Sequence, residues 1–431
     1  MNGRKLRTSW PGYLSSLRLF GTIPQMTISS ASASTTPILD SAVLVRVKKK
    51  NLVNTLFGVA MGIPFAVVLI AASNSARDEG NSAANLVWIF YFLSFVPAII
   101  VHELGHLLAG WAVGFRFSSI AIGPVSLKME YGSLKIRGRR ALPAGGYAGM
   151  HIDHVRRLRL RLLLFTLAGP TANLLSAAAI AGFLAYLKPT AGSSSLLLAI
   201  FLRISVIIGL ANFVPFRLGV LYPDGARIAM LLFSRAKSRR WMSLTAIANQ
   251  TRMGIRPKLW KRTWLNAAGA VRDGSVDDFA GNWAAYIAAN DRKDSPVAAL
   301  HLERCLELVS LLGPSLRDMV ALEAAVFTGW FRLNAVTAEN WLRQVKKIQA
   351  LPQLLQIRAD TAIRCARKEF VPALARWQDG FAFIEKLPPT ALKKSMVEGF
   401  EEWRLEILER QHSEPSTADL NFSVQVGANS S

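Results

Sequence analysis

Two histidines and a glutamate stand at a spacing that could bind a metal ion and activate water. The sequence HELGH at 102–106 sets His102 and His106 four residues apart, on one face of a helix, with Glu103 beside them. This spacing lets both imidazoles reach one zinc ion. The alternative is a pair of polar residues that satisfy each other within a helix bundle. The chain has only 6 histidines, and these two lie inside an apolar segment, which favours a zinc site.

The elements that must position these residues are apolar segments long enough to cross a membrane. The chain is 51% hydrophobic and 18% charged, with a mean hydropathy of +0.28, which is too apolar for an ordinary soluble protein. Four segments have the length that a spanning helix needs, so we predict four transmembrane helices. They lie at about 52–72, 85–113, 160–187 and 194–216.

The basic residues indicate how these helices are oriented. Residues 1–234 hold 23 basic side chains against 7 acidic ones, although the net charge of the whole chain is +23. The loop at 115–161 carries ten of the basic residues, whereas the loops at 73–85 and 188–193 carry one each, so we predict that the basic loop is cytoplasmic. Four spans then place both termini in the cytoplasm, and a bacterial inner membrane fits this arrangement. Topology accounts for the charge, and we predict no nucleic-acid partner.

A catalytic zinc site needs a third protein ligand and an open position for water. Asp224 stands out among the 7 acidic residues of the first 234 because it follows the fourth apolar segment directly. Within Pro223-Asp224-Gly225 a simple turn residue is the local alternative. The predicted topology brings Asp224 to the same membrane face as the HELGH segment, and we therefore predict it to be the third ligand.

The chain is predicted to be an α-helical polytopic membrane protein with a small β element and a C-terminal α-helical cytosolic domain. Short alternating segments between 115 and 139 predict two or three strands at the membrane surface. Alanine-rich segments beginning at Trp283, Glu323 and Asp360 recur at spacings of 40 and 37 residues, which is typical of stacked helical hairpins of the tetratricopeptide type. A plain helical domain is the alternative. The predicted units are a cytoplasmic segment at 1–50, a membrane domain at 51–234 with a β-rich loop at 115–147, a helical domain at 235–411 and a disordered tail at 412–431.

Four motifs in order resemble those of the site-2 protease family of intramembrane zinc metalloproteases. HELGH at 102–106 is similar to the family's first motif, and the sequence LPAGGY at 142–147 resembles the Pro-x-Gly-Gly-Tyr segment that follows it. The sequence AGPTAN at 168–173 resembles the Gly-Pro-x-x-Asn stretch of the next core helix. Residues 212–225 resemble the final Asn-x-x-Pro and Asp-Gly motif. The match ends near residue 235.

The resemblance implies a three-helix catalytic core formed by the second to fourth spans. It implies that His102, His106 and Asp224 bind Zn²⁺ and that Glu103 is the general base. The substrate would be a membrane-spanning protein, cut in or near its transmembrane segment. The chain departs from the family in two respects: the gap between Asn212 and Asp224 is about four residues longer, and no stretch between the second and third spans could hold a PDZ domain.

Other residues of these motifs have open roles. Asn212 contacts the substrate backbone or the oxyanion in one interpretation and caps a broken helix in the other. Gly169, Pro170 and Asn173 are predicted to serve close helix packing. The alternating segment offers a strand edge for an unwound substrate, or it merely anchors the loop at the membrane.

Three function classes follow from these observations. The first is an intramembrane endopeptidase, and the second is a non-catalytic zinc-containing scaffold that binds a protein partner through its helical domain. The intact Glu103 argues against the scaffold, because a structural zinc site needs no base. A di-iron membrane oxygenase would need more than 6 histidines.

Overall fold

The computed structural model describes residues 38–41, 87–130, 133–138, 145–187, 192–215 and 222–413, with four single positions between 67 and 74. All but three residues of the predicted first span at about 52–72 therefore lie outside the described residues. So do most of the predicted segment at 1–50 and the predicted tail from residue 414 onward. The described chain is mostly helical and contains one small antiparallel sheet, as the sequence predicts.

Within the described residues, three helices are long and apolar enough to cross a membrane. After a four-residue helix α1 (Ile38–Ser41), they are α2 (Val87–Ala112), α3 (Leu158–Leu187) and α4 (Ser193–Phe213). Their bounds agree with the second, third and fourth predicted spans to within three residues. Side chains such as Trp88, Phe92 and Leu175 remain exposed on their outer surfaces, as a lipid-facing surface requires.

The three helices pack closely because small residues lie between them. Helices α2 and α3 are antiparallel, and a Cβ atom at Gly105 would lie 2.5 Å from the carbonyl oxygen of Ala168. A Cβ atom at Gly209 of α4 would lie 3.0 Å from the carbonyl oxygen of Pro170. With no side chain at these positions the backbones can approach, which is how membrane helices gain van der Waals contact. The C-terminal ends of α2 and α4 and the N-terminal end of α3 consequently lie on one side.

A four-stranded antiparallel sheet lies between α2 and α3 in the chain. Its strands are β1 (Arg116–Ile122), β2 (Val125–Glu130), β3 (Ser133–Gly138) and β4 (Gly146–His151), and their order in the sheet is β3-β2-β1-β4. The first three strands confirm the expectation of short strands in this loop. The sequence pattern missed β4 because Gly146-Tyr147-Ala148-Gly149 lacks the alternating β-branched residues by which strands are recognised.

Helices continue from Asp224 to the end of the described chain. They are α5 (Asp224–Phe233), α6 (Arg235–Arg252), α7 (Arg262–Gly269), α8 (Val276–Asp291), α9 (Ser295–Glu307), α10 (Pro314–Trp330), α11 (Ala335–Arg343), α12 (Gln353–Ala366), α13 (Phe370–Glu385) and α14 (Ala391–Ser413). The three alanine-rich segments lie in α8, α10 and α12, and each of these helices packs against the helix that follows it. Their side chains, among them Trp283, Phe327 and Trp330, build the largest core of the molecule.

Ion pairs join distant parts of the helical half. The Arg256 guanidinium lies 2.7 Å from Glu402 and also contacts Asp291, while Lys258 lies 2.7 Å from Glu402. These two basic side chains lower the pKa of Glu402 to about 2, chiefly through the hydrogen bond from Arg256. The pairs connect the segment after α6 to α8 and α14.

Helix α1 packs against the helical half although it precedes the first predicted span. Leu39 is only 2% exposed and belongs to the core built by the C-terminal helices. The indole N–H of Trp341 donates to the carbonyl oxygen of Leu39 at 2.8 Å. The segment at 38–41 is therefore on the same side of the three apolar helices as the helical half.

Candidate active site

Three side chains from two helices converge at one end of the helix bundle, the end that the sequence predicts to face the cytoplasm. His102 and His106 come from α2, and Asp224 is the first residue of α5. The Nε2 atom of His102 lies 3.0 Å from Asp224 Oδ2, and the Nε2 atom of His106 lies 3.2 Å from the same oxygen. The two Nε2 atoms are 3.3 Å apart. The structure thus brings together the three residues that the sequence predicts to be ligands.

The separation of these atoms fits a tetrahedral metal ion. Zinc binds imidazole nitrogen and carboxylate oxygen at about 2.0–2.2 Å, so two ligand atoms of a tetrahedral site lie roughly 3.3 Å apart. The three observed separations run from 3.0 to 3.3 Å. Two imidazoles and one carboxylate leave the fourth position for water, which is the composition of a catalytic rather than a structural zinc site. In the described part of the chain, this is the one group of three or more His, Cys, Asp or Glu side chains that could hold a metal ion.

Both imidazole rings are held at their other nitrogen by helix α3. The Nδ1 atom of His102 lies 2.7 Å from the side-chain oxygen of Asn173, and the Nδ1 atom of His106 lies 2.7 Å from the carbonyl oxygen of Phe165. Both partners are acceptors, so each Nδ1 carries the proton and each Nε2 presents its lone pair to the cluster. The amide of Asn173 also donates to the carbonyl oxygen of Ala98 at 2.9 Å, which holds the acceptor oxygen in place.

The contacts of Asn173 give it a more specific role than the close helix packing that the sequence predicts. Its side chain is fully buried and connects α3 to the backbone of α2 and to His102. A buried amide must be hydrogen-bonded, but the sequence alone does not tell which groups are its partners. The Gly-Pro-x-x-Asn spacing could have given the signal, because it sets Asn173 two helical turns beyond Phe165 on one face.

Gly169 supplies the space in which the two rings meet. A Cβ atom at this position would lie 2.8 Å from His102 Nε2 and still closer to the His106 ring. Any side chain here would enter the space between the histidines. Pro170, the next residue, is buried inside α3 and presents its carbonyl group to Gly209 of α4, which is consistent with the predicted packing role.

Glu103 lies against strand β4. Its side chain is buried, and a Cβ atom at Gly146 would meet the carboxylate of Glu103 directly. The backbone amide of Ala148 also lies within hydrogen-bonding reach of that carboxylate. This contact explains the second glycine of the Gly-Gly-Tyr motif, because only a residue without a side chain lets the strand pass so close to Glu103. Strand β4 is an edge strand of the sheet as far as the chain is described, so its outer edge borders the site.

Asp224 is held from the side of the helical half. Gly225, the next residue, packs so closely on the end of α4 that a Cβ atom would lie 2.5 Å from the carbonyl oxygen of Val214. The Arg227 guanidinium stacks on Tyr222 at 4.5 Å and on Trp241 at 4.7 Å. The same guanidinium lies 3.4 Å from Asp277 of α8.

Asn212 makes a local contact at the end of α4. Its amide nitrogen donates to the carbonyl oxygen of Ile208 at 3.0 Å, one turn earlier in the same helix. This bond satisfies the side-chain amide within its own helix, and the helix cap that is the structural alternative stays a prediction. The substrate or oxyanion role of Asn212 stays a prediction.

Three apolar helices around a His-His-Asp cluster, with a glutamate beside it, point to a membrane protein whose cluster could hold a metal ion. Residues 90–191 match the model of Peptidase family M50, the site-2 protease family, whose members are metalloproteases. The match confirms the resemblance seen in the first three motifs, while Asp224 and the helical half lie beyond the matched residues. Neither a curated protein nor a solved structure matches the chain.

Proposed function

We propose that the protein is an intramembrane zinc metalloendopeptidase that cuts membrane-spanning proteins in or near their transmembrane segments. The observation that carries the proposal is the cluster of His102, His106 and Asp224. Their three ligand atoms lie within 4.8 Å of one another, at the end of a helix bundle apolar enough to span a membrane. Ionisable groups in such surroundings are costly and are kept for function. The donor set favours zinc, with a water molecule as the fourth ligand.

Zinc, when bound, would lower the pKa of its water ligand and polarise the scissile carbonyl group. The chain's own residues do the remaining work. Asn173 and the carbonyl group of Phe165 keep the imidazole rings aimed at the metal position. Glu103 takes the proton of the attacking water and returns it to the leaving amine nitrogen. Its burial beside β4 keeps the carboxylate at one place and limits competing contacts with solvent.

The substrate must present an extended backbone, because the hydrogen bonds of a transmembrane helix shield its peptide bonds. Strand β4 is the strand whose residues contact Glu103, and it stands at one edge of the described sheet. We propose that an unwound substrate segment pairs with this edge and so passes the metal site in extended form. The alternative is a sheet that only anchors the loop at the membrane surface.

The topology that we propose has both ends of the chain in the cytoplasm. The segment at 38–41 and the helical half pack together, whereas α2 begins at the opposite end of the bundle. An odd number of crossings must therefore separate Ser41 from Val87, and the predicted span at about 52–72 would supply one. The basic loop favours the cytoplasm for this side. A bacterial inner membrane stays a prediction, as does a protein partner for the helical half.

The decisive experiment compares cells that carry the wild type with cells that carry Glu103→Gln at matched expression. Glutamine keeps the size of the side chain and removes the base, so the variant should retain the metal and lose hydrolysis. We expect membrane-protein fragments that accumulate only in the variant, together with an unchanged zinc content of the purified proteins. Identical fragment profiles with equal zinc content would favour the scaffold instead.

A further inference from the structure

The contacts of helix α1 are those of a short peptide bound in a groove. The groove is formed by α9, α10 and Trp341 of α11, and four residues of the chain's own N-terminal part, 38–41, lie in it. We call these four residues the docked segment. They lie more than 250 residues before the groove in the chain and are separated from it by all three apolar helices.

Glu303 of α9 holds the backbone of the docked segment. Its two carboxylate oxygens each accept one backbone N–H group, from Ile38 and from Leu39, the latter at 3.0 Å. Glu303 has no basic partner among the residues that the structure describes. A partly buried carboxylate whose hydrogen-bonding partners are two consecutive backbone amides binds the peptide backbone without reading its side chains.

The other two contacts complete a small recognition site. The fully buried Trp341 donates its indole N–H to the carbonyl oxygen of Leu39 at 2.8 Å. The side chain of Leu39 is 2% exposed, whereas Asp40 and Ser41 are exposed. The site therefore holds the buried side chain of Leu39 and the partly buried side chain of Ile38, and it binds the backbone N–H and carbonyl groups of Leu39. Leu39 is the most buried of the four residues and acts as the anchor. Short linear motifs bind in this way, with one residue that supplies most of the binding energy.

We propose that the groove formed by α9, α10 and Trp341 is a peptide-binding site and that its ligand is the docked segment of the same chain. The docked segment behaves as a bound motif that can be released, while the helical half stays folded around the vacated groove. The ten residues from 42 to 51 join the docked segment to the first predicted span and can reach at most roughly 40 Å. Binding thus holds the helical half beside the membrane face that carries the metal cluster.

Hydrogen exchange of the full-length protein in detergent tests the proposal. In the wild type, the amides of Ile38 and Leu39 should be protected. Glu303→Gln removes the charge from the acceptor and should speed their exchange by about 10- to 100-fold, the usual worth of hydrogen bonds to a charged group. Glu307→Gln, one turn further along α9, is the matched control, since Glu307 is exposed and pairs with Arg304 instead. It should leave both amides protected.

A second variant tests whether the groove can be refilled. Leu39→Asp places a charge where the anchor is buried, so the docked segment should leave the groove. A labelled peptide of residues 36–43, in which the amide of Ile38 is part of a peptide bond, should then bind the variant and fail to bind the wild type. Exchange in α12 to α14 reports whether the variant keeps its fold. The readouts do not depend on peptidase activity.

Four results would overturn the proposal. Unprotected amides at 38 and 39 in the wild type would mean that the segment is not bound. Loss of protection throughout α9 to α11 in Leu39→Asp would mean that it is part of the core. Failure of the peptide to bind a folded Leu39→Asp protein would mean that the groove does not recognise it. Protection that falls on dilution would assign the bound segment to a second copy of the chain.

Discussion

Replacement of Asn173 by alanine should weaken metal binding without touching a ligand. The substitution removes the acceptor that lies 2.7 Å from His102 Nδ1 and the donor to the carbonyl oxygen of Ala98. The His102 ring then loses the partner that fixes both its tautomer and its orientation. Residues that orient metal ligands are typically worth 10- to 100-fold in metal affinity. This corresponds to about 1.4–2.8 kcal/mol of binding free energy.

His102 is the better of the two histidines for this test because its anchor is a side chain. The anchor of His106 is the main-chain carbonyl group of Phe165, which no substitution removes. Asn173→Asp supplies a second comparison, since a carboxylate still accepts the Nδ1 proton while it can no longer donate to Ala98. We expect this variant to keep most of the zinc affinity that Asn173→Ala loses.

The assay is zinc competition against a chelator with purified protein in detergent. Ser176→Ala is the matched control, because Ser176 lies on the same helix and its hydroxyl donates only to the backbone oxygen of Asn173. Thermal unfolding of the metal-free variants separates a loss of affinity from a loss of fold. The reasoning fails if folded Asn173→Ala protein binds zinc as tightly as the wild type, or if Ser176→Ala loses as much.

Three further predictions concern glycines of the site and charges of the helical half. Gly169→Ala should abolish both zinc binding and proteolysis, because its Cβ enters the space between the imidazoles. Gly182 lies on the same helix with open space around it, so Gly182→Ala should change neither zinc binding nor proteolysis by more than about twofold. Gly146→Ala should lower proteolysis and leave zinc content intact because its Cβ meets the general base, while the neighbouring Gly145→Ala should be neutral; equal activity of the two would contradict the contact. The lowered pKa of Glu402 predicts stability that is present above the ordinary value of 4.5 and is lost as the pH falls toward 2. Melting temperatures measured across this range should fall more steeply for the wild type than for Glu402→Gln, and parallel curves would refute the assignment.

The ligands and the spans could be predicted because their signals are local or compositional. The two histidines of HELGH are four residues apart, so their position on one helix face follows from the sequence. The length of the apolar segments indicates the spanning helices, and the basic loops indicate which membrane side each loop faces. Asp224 followed from the need for a third ligand together with topology, and the structure brings it within 3.2 Å of both histidines.

The roles of Asn173, Gly169 and Gly146 were hidden for a different reason. Each role depends on a contact between segments that are distant in the chain. The identity of an Asn or a Gly residue does not indicate which residue it will contact in the fold. The docking of Leu39 was hidden for the same reason, since its partners follow more than 250 residues later. Strand β4 was missed because Gly146 and Gly149 interrupt the alternation of large side chains, and the reason for Gly146 is its contact with Glu103.

The position of Asp224 joins the metal site to the helical half through a single short helix. Asp224 opens α5, and Arg227, one turn later, is held by Trp241 of α6 and Asp277 of α8. A displacement of the helical half would therefore reach Asp224 directly through α5, while the two histidines are also held by α3. Linkage makes the effect reciprocal: whatever displaces α5 weakens metal binding, and metal binding resists that displacement by the same free energy. The helical half can therefore influence the metal site from a distance, through the position of Asp224 alone among the three ligands.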